Sequence, residues 1–203
     1  MLRLKLLGAG LIAGAVSFSA GPGYADESEF SAHLTGFNEI GSIPTTTPAA
    51  GSPTGYTGAI LSSGSGKGSL QVNKNSIDYT LMYSDVGTTS PNTGTVTQAH
   101  IHFGKSRDSG GIMVFFCSNL GNGPAGTPKC PPNSGTVAGT WTAASVVGPA
   151  AQNIAAGNFA GLVDALNSNT AYANVHTTFY TAGEIRGQVH RVEQENQGNQ
   201  GNQ

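Results

Sequence analysis

Residues 76–86 read Ser-Ile-Asp-Tyr-Thr-Leu-Met-Tyr-Ser-Asp-Val, and their strict alternation constrains the fold more than any other stretch. Ile77, Tyr79, Leu81 and Tyr83 fall on one side of an extended chain; Asp78, Thr80, Met82 and Ser84 fall on the other. Strand side chains point alternately to opposite faces, so such a segment buries one face and turns the other to water. Shorter or less regular candidates recur at 30–34, 57–62, 68–73, 95–103, 111–117, 135–141, 171–177 and 184–191. Gly, Pro and Asn punctuate the gaps, as turns require. Many short strands with such punctuation predict an all-β chain: an antiparallel, Greek-key-like β-sandwich or barrel.

One or two short helices are expected to cover it. Asn158 is a good N-cap, and Phe159, Leu162, Val163 and Leu166 follow at helical spacing. Residues 142–149 read as a single helical turn stopped by Gly148-Pro149. The stretch 41–55, poor in large apolar residues, is expected to wrap the surface.

The two ends carry different signals. Arg3 and Lys5 precede a mostly apolar run, and small residues lead to Ala25, so 1–25 reads as a signal peptide that is removed. The run is shorter than the ~20 residues a membrane span needs, so no span is expected in the mature chain. Residues 26–192 form one domain, and the Gly/Asn/Gln tail 193–203 has no means of building a core and is expected to be disordered. Export to the periplasm or beyond the cell gives Cys117 and Cys130, the only two cysteines, an oxidising compartment and favours a disulfide over a soft-metal site. Charged residues are only 10% of the chain and the net charge is −2, which gives no electrostatic case for nucleic acid.

Chemistry concentrates in the five histidines. In Gln98-Ala99-His100-Ile101-His102-Phe103-Gly104, an inward Ile101 sends His100 and His102 out together, roughly 6.5–7 Å apart along the strand. Two imidazoles at that spacing can converge on one ion, or they can simply decorate a strand. An inward Val175 places His176 on the outer face of its own strand. One His-x-His plus one distant His is a three-ligand set for copper, with zinc as the alternative, at an accessible site. His33 also faces outward if Ala32 and Leu34 face inward, which makes it a candidate fourth ligand. Glu184 and Arg186 share the face of His176 across an expected hairpin. They are either a carboxylate and cation that orient an imidazole or an exposed ion pair. Met113 is either a soft ligand or a core side chain. No Walker-type loop, Gly-x-Ser-x-Gly elbow or Cys-x-x-Cys is present.

Several stretches resemble the CHRD domain, named after chordin: the segment beginning at Phe30, Ala99-His100-Ile101-His102-Phe103-Gly104, the two cysteines with their neighbours, 135–166 and 172–189. The resemblance runs in order over roughly 30–192. It implies an extracytoplasmic β-sandwich module and, through the family's association with binding a protein partner, possible contact with another exported protein. It implies no reaction. The string His100-Ile101-His102-Phe103-Gly104 is also similar to the copper strand of copper–zinc superoxide dismutase, which would cast His100, His102 and His176 as copper ligands. No histidine lies between His102 and His176, so the bridging ligand of a dinuclear site is missing. Three functions follow: a non-catalytic module that binds one copper for storage or delivery, a mononuclear copper redox enzyme, and a structural or protein-binding module.

Overall fold

In the computed structural model, residues 28–40 and 58–193 are described. The expected signal segment, the 41–55 stretch and all of the tail except Glu193 lie outside the described residues. The alternating run becomes strand β3 (Ile77–Ser84), whose burial alternates residue by residue as expected. Before it come β1 (Ser28–Thr35) and β2 (Ser65–Val72), completing a meander with it. After it come β4 (Val96–Phe103), β5 (Ile112–Ser118), β6 (Gly135–Trp141), β7 (Ala171–Thr177) and β8 (Ile185–Arg191). Helix α1 (Phe159–Asn167) sits between β6 and β7.

All eight strands form one antiparallel sheet in the order β5-β4-β7-β8-β1-β2-β3-β6. The sheet curls until its two edges meet, so the expected sandwich or barrel takes the form of a nearly closed barrel. Side chains bridge the β5–β6 seam. The Tyr79 hydroxyl donates to the Phe116 carbonyl (3.2 Å), and the Trp141 indole N–H donates to the Phe115 carbonyl (2.8 Å). Covering an edge in this way satisfies backbone groups that would otherwise face a gap.

The interior holds the inward half of each alternation, including Phe30 and Leu34 of β1, Leu81 of β3, Ile101 of β4, Val175 of β7 and Ile185 of β8. Each large side chain buried there contributes roughly 1.5–3 kcal/mol. Met113 lies in this core, fully buried. The N-cap of α1 is as expected: the Asn158 side-chain oxygen accepts the Gly161 N–H at 2.9 Å, and Leu162, Val163, Ala165 and Leu166 are buried. The 142–149 segment holds one 3-10 turn, Ala143–Ser145. Cys117 and Cys130 are bonded to each other, closing a loop back onto β5.

Two features depart from simple alternation. Residues 58–62 form no strand, against expectation. Ile60 is buried and donates its N–H to the Gly36 carbonyl (2.8 Å), but Leu61 beside it is 77% exposed. One anchored side chain among small residues seats a loop on the barrel without pairing a strand. Secondly, β5 is bulged twice against β4. Cys117, Phe115, Val114 and Ile112 pair with Ala99, His100, Ile101 and His102, which leaves Phe116 and Met113 as the extra residues. The extra residue resets the parity, so Phe116 packs in the core while its neighbour Phe115 lies against His100 on the outer face.

Candidate metal centre

His100 and His102 come from β4 and His176 from the adjacent β7, where strand parity turns all three outward from the barrel core. An outward surface-decorating histidine would be solvated. These are 0%, 8% and 6% exposed, so the expected accessible site is a buried one. Besides the β7–β8 connection 178–184, whose Thr181 carbonyl meets His176, two further chain segments lie on this face. One is 104–111, the connection from β4 to β5; the other is 36–40, which follows β1 and brings the buried Glu39.

Candidate ligand nitrogens of the three rings all lie within 4.8 Å of one another. Backbone carbonyls decide which nitrogen of two rings carries the lone pair. His102 Nδ1–H donates to the Gly110 carbonyl (2.9 Å), and His176 Nδ1–H donates to the Thr181 carbonyl (3.0 Å). Nε2 of each is thereby the free base, the orientation that metal-bound imidazoles generally show. His176 Nε2 lies 3.2 Å from His100 Nδ1. Two nitrogens each ~2.0–2.1 Å from one tetrahedral ion lie about 3.3 Å apart, so this edge already has the separation of a shared ion. His102 Nε2 and His100 Nε2 are buried with no hydrogen-bond partner among the described residues. An unpaired buried atom costs about 1–3 kcal/mol, and an ion shared by His176 Nε2, His100 Nδ1 and His102 Nε2 would relieve that cost at His102.

The electrostatics suit a cation ligand set. Burial, before any other cause, holds His176 down to about 4. It holds His102 down to about 3, reinforced by His176 and Arg186 and opposed by the Gly110 hydrogen bond. His100 is lowered further still, by burial and then by the two neighbouring imidazoles. All three are neutral at physiological pH, the form that binds metal.

The wall around the rings is close-fitting. Phe115 stands edge-on to His100 at 4.4 Å, and Tyr172 stacks on His102 at 4.8 Å with ring planes 3° apart. Arg186, 2% exposed, places its guanidinium 3.4 Å from the Tyr172 ring centroid and donates to the carbonyls of Lys105 (2.8 Å) and Asp108 (2.9 Å). Burial pulls its pKa down, while Tyr172, Glu39 and Asp108 oppose that shift. The Glu184 backbone N–H donates to the Val175 carbonyl beside His176, and its Oε1 accepts from the Ser62 hydroxyl (2.7 Å) and the Gly87 N–H (2.8 Å). Glu39 reaches the histidine wall, where its Oε2 accepts from Asn174 Nδ2 at 2.6 Å. Gly183, at φ +129°, leaves room for that contact, since a Cβ there would come within 2.5 Å of both side chains. His33 is exposed on β1, separated from β7 by β8, and is not in the three-histidine group.

Glu39, Asn174, Tyr172, Phe115 and Gly110 escaped the sequence reading. The outward parity of Tyr172 and Asn174, shared with His176, was an available signal for those two. Nothing local marks Glu39 or Gly110, which reach the site through the path of their loops.

These observations define a class: an antiparallel β-barrel that buries three imidazoles between its outer wall and its covering loops. A model of the CHRD domain matches residues 30–189, and the chain belongs to the CHRD-domain family. No curated protein and no solved structure matches it. No helix among the described residues is long and apolar enough to cross a membrane.

Proposed function

We propose that this protein is an exported metal-binding module that holds one copper ion through His100, His102 and His176, for storage or delivery. The observation that carries this reading is the buried trio of neutral imidazoles, with two Nε2 lone pairs set by carbonyl contacts on the opposite ring nitrogens. An all-imidazole set suits copper or zinc, and Cu(II) outranks Zn(II) for such ligands. The signal-like start of the chain and the Cys117–Cys130 bond support an exported, oxidising setting. Burial of all three rings favours holding the ion over turning over a substrate, although three ligands leave one coordination position open for redox chemistry.

Protein purified without added metal or a histidine tag, then titrated with copper, should bind about one ion per chain. The double variant His100→Ala/His102→Ala should bind none at that site, a loss of several orders of magnitude in affinity. Unchanged stoichiometry in the double variant would sink the proposal. Superoxide dismutation above that of free copper would move the reading to a redox enzyme. Absence of stoichiometric metal would leave the protein-binding module, with another exported protein as partner.

A further inference from the structure

The three imidazoles are buried, so an ion reaches them only if part of the covering moves. The β4–β5 connection, 104–111, is part of that covering and is held by a small set of hydrogen bonds. Its tip residues 105–109 are exposed, and side chains of β7 and β8 tie it down from beneath. Arg186 Nη2 grips the Lys105 and Asp108 carbonyls together. Gln188 adds a longer bond to the Gly104 carbonyl (3.3 Å), and the Tyr172 hydroxyl accepts the Gly110 N–H (3.1 Å). Gly110 then returns its carbonyl to His102 Nδ1, so the clamp on the loop and the orientation of a ligand are one connected structure. Gly110 has no substitute there: a Cβ would come within 1.7 Å of the Phe103 carbonyl. A groove lined by His33, Ser106, Arg107, Gln188 and His190 reaches Arg186 from the solvent side.

We infer that Arg186 is the latch of this loop, a positioning residue that sets how fast metal enters and leaves, while the three histidines set how much is bound. The inference rests on the proposed metal site. A charged guanidinium shared between two carbonyls makes strong hydrogen bonds, and its planar fork packs on Tyr172 as no ammonium does. Releasing it frees 104–111, removes the carbonyl from His102 and opens the site without touching a ligand.

The test is release of copper to an excess of chelator, followed by stopped flow for the wild type, Arg186→Gln and Arg186→Lys. Both variants should retain one copper per chain and release it at least tenfold faster, with lysine failing to rescue. Arg107→Gln, exposed in the same loop, should release at the wild-type rate. Hydrogen exchange on the wild-type protein supplies a measurement independent of any variant's folding: copper should slow exchange of the Gly110 amide at least tenfold. Equal release rates for wild type and both Arg186 variants, or a Gly110 amide indifferent to copper, overturn the latch alone. A wild-type protein that takes up no copper overturns the metal site and the latch with it.

Discussion

Strands β3 and β7 are built from the same repeat and end in opposite circumstances. Along β3 burial alternates, with Leu81 at 0% exposure and Met82 beside it at 54%. Along β7 every residue is buried. The inward halves share one core, filled by Ile77, Tyr79, Leu81 and Tyr83 from β3 and by the smaller Ala171, Ala173 and Val175 from β7. The outward halves differ because β3 shows Asp78, Thr80 and Met82 to solvent, whereas the outward Tyr172, Asn174 and His176 of β7 lie beneath covering loops. Polar groups moved out of water need designated partners, so the covered face becomes a hydrogen-bonded network where the bare one remains a solvated surface. That difference separates a structural wall from a site.

Acid should expose the contrast most strongly. An unfolded chain takes protons on its histidines below pH 6.5, while the folded chain refuses them until about pH 4 at His176 and about pH 3 at His102. Stability from these groups is therefore complete above pH 6.5 and falls as the pH drops toward 4. The loss should reach about 2 kcal/mol for each of the two by pH 5. Denaturant melts of the metal-free protein at pH 7 and pH 5 would measure it, and removing His102 and His176 together should shrink the pH dependence to the part that buried His100 carries.

Substitutions then grade the two strands. Leu81→Ala, on the inward face of β3, should lose about 2–5 kcal/mol in denaturant unfolding by opening a cavity. Asn174→Ala, outward on β7, should lose about 1–3 kcal/mol, because Glu39 Oε2 and the Ile185 carbonyl both lose a buried donor. Thr80→Ala, outward on β3, should stay within about 0.5 kcal/mol of wild type. An Asn174 variant as mild as the Thr80 variant would erase the distinction between a covered and a bare outer face.

Much of the barrel was legible along the chain. Seven further strand candidates besides β3 became strands, because each pairs a clear apolar parity with turn residues at its ends. The 57–62 candidate failed for want of a second buried side chain, since Leu61 points to water and Ile60 alone cannot register a strand. The parity of His100, His102 and His176 was equally legible, and so was the placing of Arg186 on their side of the sheet. Its partners were not: they are backbone carbonyls of 104–111, and any residue type would supply them.

Sequence by itself determined the all-β class, the inward and outward faces, the α1 cap and the three outward histidines, because these follow from the two-residue period of an extended chain and from local capping chemistry. Only the tertiary structure decided that the histidine face is buried, that Glu39 comes to Asn174 in that wall, and that His102 and His176 present Nε2. Those outcomes depend on where 36–40, 104–111 and 178–184 come to rest on the barrel, and a loop's path is set largely by the surface beneath it.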